Sequence, residues 1–203
     1  MPPRRIIAVL LAALVAGCAS HGEPVNIARL KQTLAGPGAA DFSGRDFTGL
    51  DLHRLDLSGA NLQGSRFSGV DLRGADLSQA DLSGADLAGA RLQGASLRHA
   101  NIQKADLHEA DLSEADLSRA DLRSADLCRA DLRSADLREA DFRGADLCRA
   151  DLRSADLRSA DLCRADLSRA DLRGADLRGA TLCNCNLDGA IITYRGKTIL
   201  VHF

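Results

Sequence analysis

Residues 125–138 read ADLCRADLRSADLR, and the same 14 residues return as 145–158. Both copies consist of five-residue units: Ala, Asp, Leu and two variable positions. The register holds outward in both directions. Upstream it runs through VDLRG (70–74) and ANLQG (60–64) to ADFSG (40–44); downstream it passes ATLCN (180–184) and CNLDG (185–189) and ends at AIITY (190–194). The third position is always Leu, Phe or Ile, and the first is Ala except at Arg45, Leu50, Leu55, Ser65, Val70 and Cys185.

A period of five suits neither common element. On an α-helix, five steps of about 100° scatter the Leu residues around the axis. In a flat strand, an odd period sends Leu to alternate faces. Both conflicts vanish if the chain turns a corner every five residues. The first and third positions then always point inward, and successive coils stack about 4.8 Å apart through backbone hydrogen bonds. The sequence therefore predicts an all-β solenoid over 40–194.

These tandem A-D-L-x-x units resemble the pentapeptide-repeat family over about three quarters of the chain. The resemblance implies a right-handed quadrilateral β-helix with four units, or 20 residues, per coil. The residues alone leave the coil length open. The 14-residue repeat has an offset of 20, but 120–132 also matches 155–167 over 13 residues at an offset of 35. With four units per coil, the 30 units from Ala40 to Gly189 make 7.5 coils and a rod of roughly 36 Å. Each Leu buried on its axis contributes about 1.5–3 kcal/mol before entropy is subtracted.

Composition agrees with a filled rod. Aromatic residues are 3% of the 203, with no Trp, while apolar residues reach 45%, mostly Leu and Ala. The first figure argues against an aromatic-anchored globular core, the second against wholesale disorder. With 26 basic and 28 acidic residues, a formal charge of −2, the chain is neither a polybasic nucleic-acid binder nor an acidic tail. The balance shifts along the rod, from −1 over 40–104 to −6 over 105–189.

The N-terminus carries an address. Arg4 and Arg5 precede an apolar run from Ile6 to Ala16 that is too short to span a bilayer but fits a signal sequence. It closes on Val15-Ala16-Gly17-Cys18, which resembles the lipobox of bacterial lipoproteins. That resemblance implies removal of residues 1–17, acylation of Cys18 and, with Ala19 rather than Asp next, an outer-membrane anchor facing the periplasm. Residues 18–25 form a linker.

Open solenoid ends expose unpaired strand edges and need covers. Over 26–39, Asn26 is a candidate N-cap, Ile27, Leu30 and Leu34 share a helical face, and Gly36-Pro37-Gly38 ends the run. This predicts a short N-terminal capping helix. At the other end, apolar runs flank Arg195-Gly196-Lys197, predicting a β-hairpin cap completed by 195–203. The alternative use of Ile199, Leu200, Val201 and Phe203 is a homodimer contact.

Second, fourth and fifth positions face outward. A 20-residue coil stacks Arg133, Arg153 and Arg173 in one column, Arg138, Arg158 and Arg178 in another, and Arg129, Arg149 and Arg169 in a third, beside Asp ladders such as Asp131, Asp151 and Asp171. Mutual neutralisation is the expected role, since stacked like charges repel; the alternative is a striped surface matching an acidic or zwitterionic partner. Departures from the repeat, notably Arg45, Arg66, Arg91, Ser96–His99, Lys104 and the C-terminal tail, are where a partner-specific contact is sought.

Within the coil implied by the family, Cys128 and Cys148 lie one turn apart, as do Cys163 and Cys183. That separation falls inside the disulfide window, and an oxidising periplasm favours two coil-to-coil bonds. Parallel side chains stand farther apart than a relaxed bridge prefers, which weighs against them. Cys185, at an inward position, is read as an inert core thiol. His108 shares the column of Cys128 and Cys148, but donors strung along a line do not converge as zinc requires, so no metal or other cofactor is expected. His21, His53, His99 and His202 are scattered, and no nucleophile–base arrangement is visible.

The expected function is non-enzymatic: an envelope lipoprotein whose scaffold mediates protein–protein interaction, with the membrane engaged through the N-terminal lipid. An alternative is an immunity or protective protein against a periplasmic toxin. Some cytosolic pentapeptide-repeat proteins protect DNA gyrase by resembling DNA. That reading is disfavoured here by the Arg columns and the export signal, and no nucleic-acid partner is expected.

Overall fold

The computed structural model describes residues 40–194 and 197–201. The signal segment, Cys18, the linker and the capping helix expected over 26–39 lie outside the described residues, as do 195–196 and 202–203.

Local geometry turns the chain at every unit. Ala110 N–H donates to the carbonyl of Leu107 at 3.0 Å, and the same bond recurs along the rod. Each turn places its second central residue, the fifth of the unit, at positive φ. From Gly44 to Gly189 every fifth position has φ between 54° and 79°, as a type II turn requires. Glycine takes this conformation freely. Seventeen of these positions are not Gly, and each of those accepts a conformation that L-residues disfavour.

All five N–H groups of a unit are accounted for. In Ala105–Glu109, Ala105 donates within the turn to Ile102 O (3.2 Å), and Asp106 donates to the previous coil at Ala85 O (2.9 Å). Leu107 and Glu109 donate to the following coil, at Asp126 O (2.7 Å) and Cys128 O (3.1 Å). His108 N–H is taken by the side-chain Oδ1 of Asp106 at 2.9 Å. Such complete pairing lets a backbone that turns so often sit beside a dry core.

Stacking is parallel throughout the coils, and every bridge from Asp41↔Asn61 to Asp166↔Asn186 joins residues 20 apart. The coil is therefore four units long, and the 35-residue recurrence is an accident of near-identical units. Each side is a single bridge wide except where the chain ends. There, β1 (Asp171–Leu172) pairs in parallel with β2 (Ile191–Tyr194), which pairs antiparallel with β3 (Lys197–Leu200).

Inward positions are sealed. Third positions from Phe47 to Leu172 are at most 2% exposed, and the Ala residues at first positions between 60 and 170 at most 1%. Exceptions to Ala cluster in the early coils, where Leu55 and Val70 are buried and Ser65 donates its hydroxyl to Phe42 O at 2.7 Å. Phe47 and Phe67, one coil apart, stack with centroids 4.6 Å apart, an offset that preserves the ladder spacing.

The C-terminal hairpin forms as its apolar runs predict, but it extends only the side begun by β1. Val201 closes it, donating to Ala190 O and accepting from Gly189 N, both at 2.8 Å. Among the described residues nothing stacks beyond Leu177, Leu182 and Leu187, and Leu182 is 37% exposed. Among the described residues the hairpin extends one of the four sides.

Candidate interaction surface

Second positions carry two functions. Every Asp or Asn there from Asp41 to Asn186 accepts the N–H of the residue two further on, for example Ser168 N to Asp166 Oδ1 at 2.8 Å and Gln63 N to Asn61 Oδ1 at 3.2 Å. The carboxylate thus completes the turn before it acts as a charge. Sequence reasoning treated these residues as a surface motif only. The readable signal was the predominance of Asp and Asn at this position just before a turn, the preference of side chains that hydrogen-bond their own backbone.

Fourth-position Arg residues fold back on those carboxylates. Arg153 places Nη2 2.6 Å from Asp151 and Nε 3.8 Å from Asp171 in the next coil. Arg133 repeats this with Asp131 and Asp151, and Arg138 and Arg158 repeat it along the neighbouring corner with Asp136, Asp156 and Asp176. Arg123 and Arg143 form a third, shorter ladder. Signs alternate along each corner, so the first two expected Arg columns neutralise themselves. Of the third expected column, Arg129 reaches Glu109 at 2.9 Å, while Arg149 and Arg169 have no carboxylate within ion-pair distance among the described residues.

The electrostatics follow. Hydrogen bonds from Arg178 hold the Asp176 carboxyl at about 2. Hydrogen bonding to Asp131 and Asp136 raises the guanidinium groups of Arg133 and Arg138 above their ordinary range. Asp71 is the most enclosed of these carboxylates at 8% residue exposure; it is gripped by Arg73 and by Arg91 from the next coil at 3.0 Å, and lies at about 2 mainly through the Arg73 hydrogen bonds.

Two of the departures singled out in the sequence are explained by this pattern. Arg66 and Arg91 occupy second positions where Asp is usual, and each pairs with the Asp one coil earlier, Asp46 and Asp71. Arg98 reaches Asp116 at 3.4 Å. These substitutions relieve stacked negative charge from within.

Cysteines fall where the coil places them. The sulfurs of Cys128 and Cys148 are at bonding distance with Cα atoms 4.6 Å apart, and those of Cys163 and Cys183 likewise at 4.5 Å. Cys185 carries a free thiol, half-buried, whose ionisation burial makes harder. It donates to Leu182 O at 3.2 Å. The concavities along the corners are open grooves; one of about 580 Å³ follows Arg133, Arg153 and Arg173.

A filled four-sided coil with Asp-closed turns and Leu-lined axis defines the class: a β-solenoid whose outward positions form ordered columns. Residues 39–74, 75–113, 115–153 and 150–189 match the family described as pentapeptide repeats, in eight copies, and the chain belongs to that family. Among solved structures, it is similar to HetL, a pentapeptide repeat protein involved in heterocyst differentiation regulation from the cyanobacterium Nostoc sp. strain PCC 7120. That match has 38% identity, covers 78% of each chain and has a TM-score of 0.38. Rfr23 from the cyanobacterium Cyanothece 51142 is 34% identical over 45% of this chain and 58% of its own, with a TM-score of 0.33. QnrB1, a plasmid-mediated fluoroquinolone resistance protein, is 25% identical over 74% of this chain and 78% of its own, with a TM-score of 0.37. A search of curated protein sequences finds no match.

Proposed function

We propose that this pentapeptide-repeat rod is a non-enzymatic lipoprotein of the bacterial envelope. Cys18 carries the lipid at the outer membrane, and the rod serves as a scaffold for protein partners in the periplasm. The observation that carries the scaffold reading is the solid axis: first and third positions are spent on the core, so recognition falls to the ordered outward columns. The address rests on Arg4, Arg5, the apolar run and Val15-Ala16-Gly17-Cys18. Alternating Asp–Arg corners argue against a continuous acidic face of the DNA-mimic kind. Leu182 at 37% and Leu200 at 50% exposure support a contact between two copies at the open end.

The deciding experiment is the intact mass of the native protein extracted from membranes without reductant. A chain beginning at Cys18 with added acyl mass is the expected result. A full-length unmodified chain in the soluble fraction overturns the address and revives a cytosolic role.

A further inference from the structure

The two cysteine pairs have the same spacing but different surroundings. Around Cys128 and Cys148 a third donor converges: the sulfurs and a carboxylate oxygen of Asp146 lie within 4.8 Å of one another. Asp146 Oδ1 is fixed by the Cys148 N–H at 2.8 Å, which aims the carboxylate beside the sulfurs and leaves its second oxygen. Fourth positions along this corner from 108 to 168 are His108, Cys128, Cys148 and Ser168, so no Arg folds back on Asp146 there. The other pair lacks this arrangement. Asp161 faces the Nε of Arg143 at 3.6 Å, and the residue two before Cys183 is Thr181.

We propose that Cys128, Cys148 and Asp146 form a redox-gated site for a soft divalent cation of the zinc class. A line of stacked donors does not enclose a metal, but the carboxylate enters from the side of that line and supplies the missing direction. Two thiolates and one carboxylate, with water as fourth ligand, match the donor set that zinc accepts. Binding converts two thiols and one M²⁺ into a bis-thiolate complex and releases two protons. The disulfide has no thiolate to offer and excludes the ion. A dithiol reductant opens the site by donating two electrons and two protons to the Cys128–Cys148 bond, and becomes a disulfide itself. The placement of the three donors does not depend on where the chain resides, whereas an oxidising compartment keeps the site closed until a dithiol reductant opens it.

The test is zinc titration of the full chain carrying Cys18→Ser, Cys163→Ser, Cys183→Ser and Cys185→Ser, which leaves Cys128 and Cys148 as its only cysteines, against a chromogenic chelator. After reduction and desalting it should hold one zinc that the oxidised protein does not. Adding Cys128→Ser or Cys148→Ser should abolish that zinc, and Asp146→Asn should weaken it about tenfold, with the circular dichroism of the coils unchanged. No zinc on the reduced chain, equal zinc on the oxidised chain, or retention after Cys128→Ser overturns the site. Undiminished affinity in Asp146→Asn overturns the three-donor assignment.

Discussion

Arg153 and Asp151 are bound in a repeating ion ladder: the guanidinium lies 2.6 Å from the carboxylate two residues before it and 3.8 Å from Asp171, the equivalent one coil further on. Each Arg therefore screens one carboxylate from the next, and a column of stacked Asp residues becomes tolerable.

Removing one rung exposes that role. Arg153→Met should leave Asp151 and Asp171 facing each other and destabilise the fold only modestly, because the pair is solvent-accessible. The loss should shrink as salt screens the two carboxylates. Urea unfolding at low and high ionic strength measures both effects.

Asp71 should make the fold acid-sensitive. Its folded-state carboxyl lies at about 2 against an ordinary 3.8, held down chiefly by Arg73 hydrogen bonds and further by the charges of Arg73 and Arg91. A depressed folded value means the stabilisation is fully present above the ordinary value and fades as pH falls from about 4 through about 2. Asp71→Asn should flatten the decline in unfolding midpoint across that window. An unchanged slope would place the acid sensitivity elsewhere, Asp176 being the next residue to replace.

The turn-closing role of second-position Asp is separable from its charge. Asp166 accepts Ser168 N–H at 2.8 Å and has no Arg at the fourth position of its own unit. Asp166→Asn keeps an acceptor and should be within about 0.5 kcal/mol of the parent, whereas Asp166→Ala orphans the N–H and should cost about 1 kcal/mol. Equal losses in thermal melts would show that the hydrogen bond contributes nothing.

Fifth positions offer a graded test of backbone strain. At Gly84, with φ of 64°, an added Cβ meets nothing within 4 Å, so Gly84→Ala should cost only the left-handed penalty of about 1 kcal/mol. At Gly189 the same atom would lie 3.1 Å from Arg169 Cγ, and Gly189→Ala should cost more unless Arg169 swings away. Chemical denaturation of the two variants ranks them.

Much of this was legible without coordinates. The five-residue register, with Leu127 and Ala130 inward and Arg129 outward, follows from one chain because an inward apolar position that recurs every fifth residue admits neither helix nor flat strand. The hairpin at 191–200 was legible from its paired apolar runs. Its failure to cover Leu182 was not, since coverage depends on how wide the coil beneath it is.

What the sequence by itself determined was the local rule: which positions face the axis, and that the chain must turn at each unit. Steric and hydrophobic demands within five residues settle that. Only the tertiary structure decided which unit lies over which. Near-identical units match at 20 and at 35, and the bridges choose 20. That choice sets Arg153 between Asp151 and Asp171, brings Cys128 over Cys148, and turns Asp146 toward their sulfurs. These relations depend on coil length, a non-local quantity fixed by how many corners close a filled core, and a repeated pentapeptide carries no mark of it.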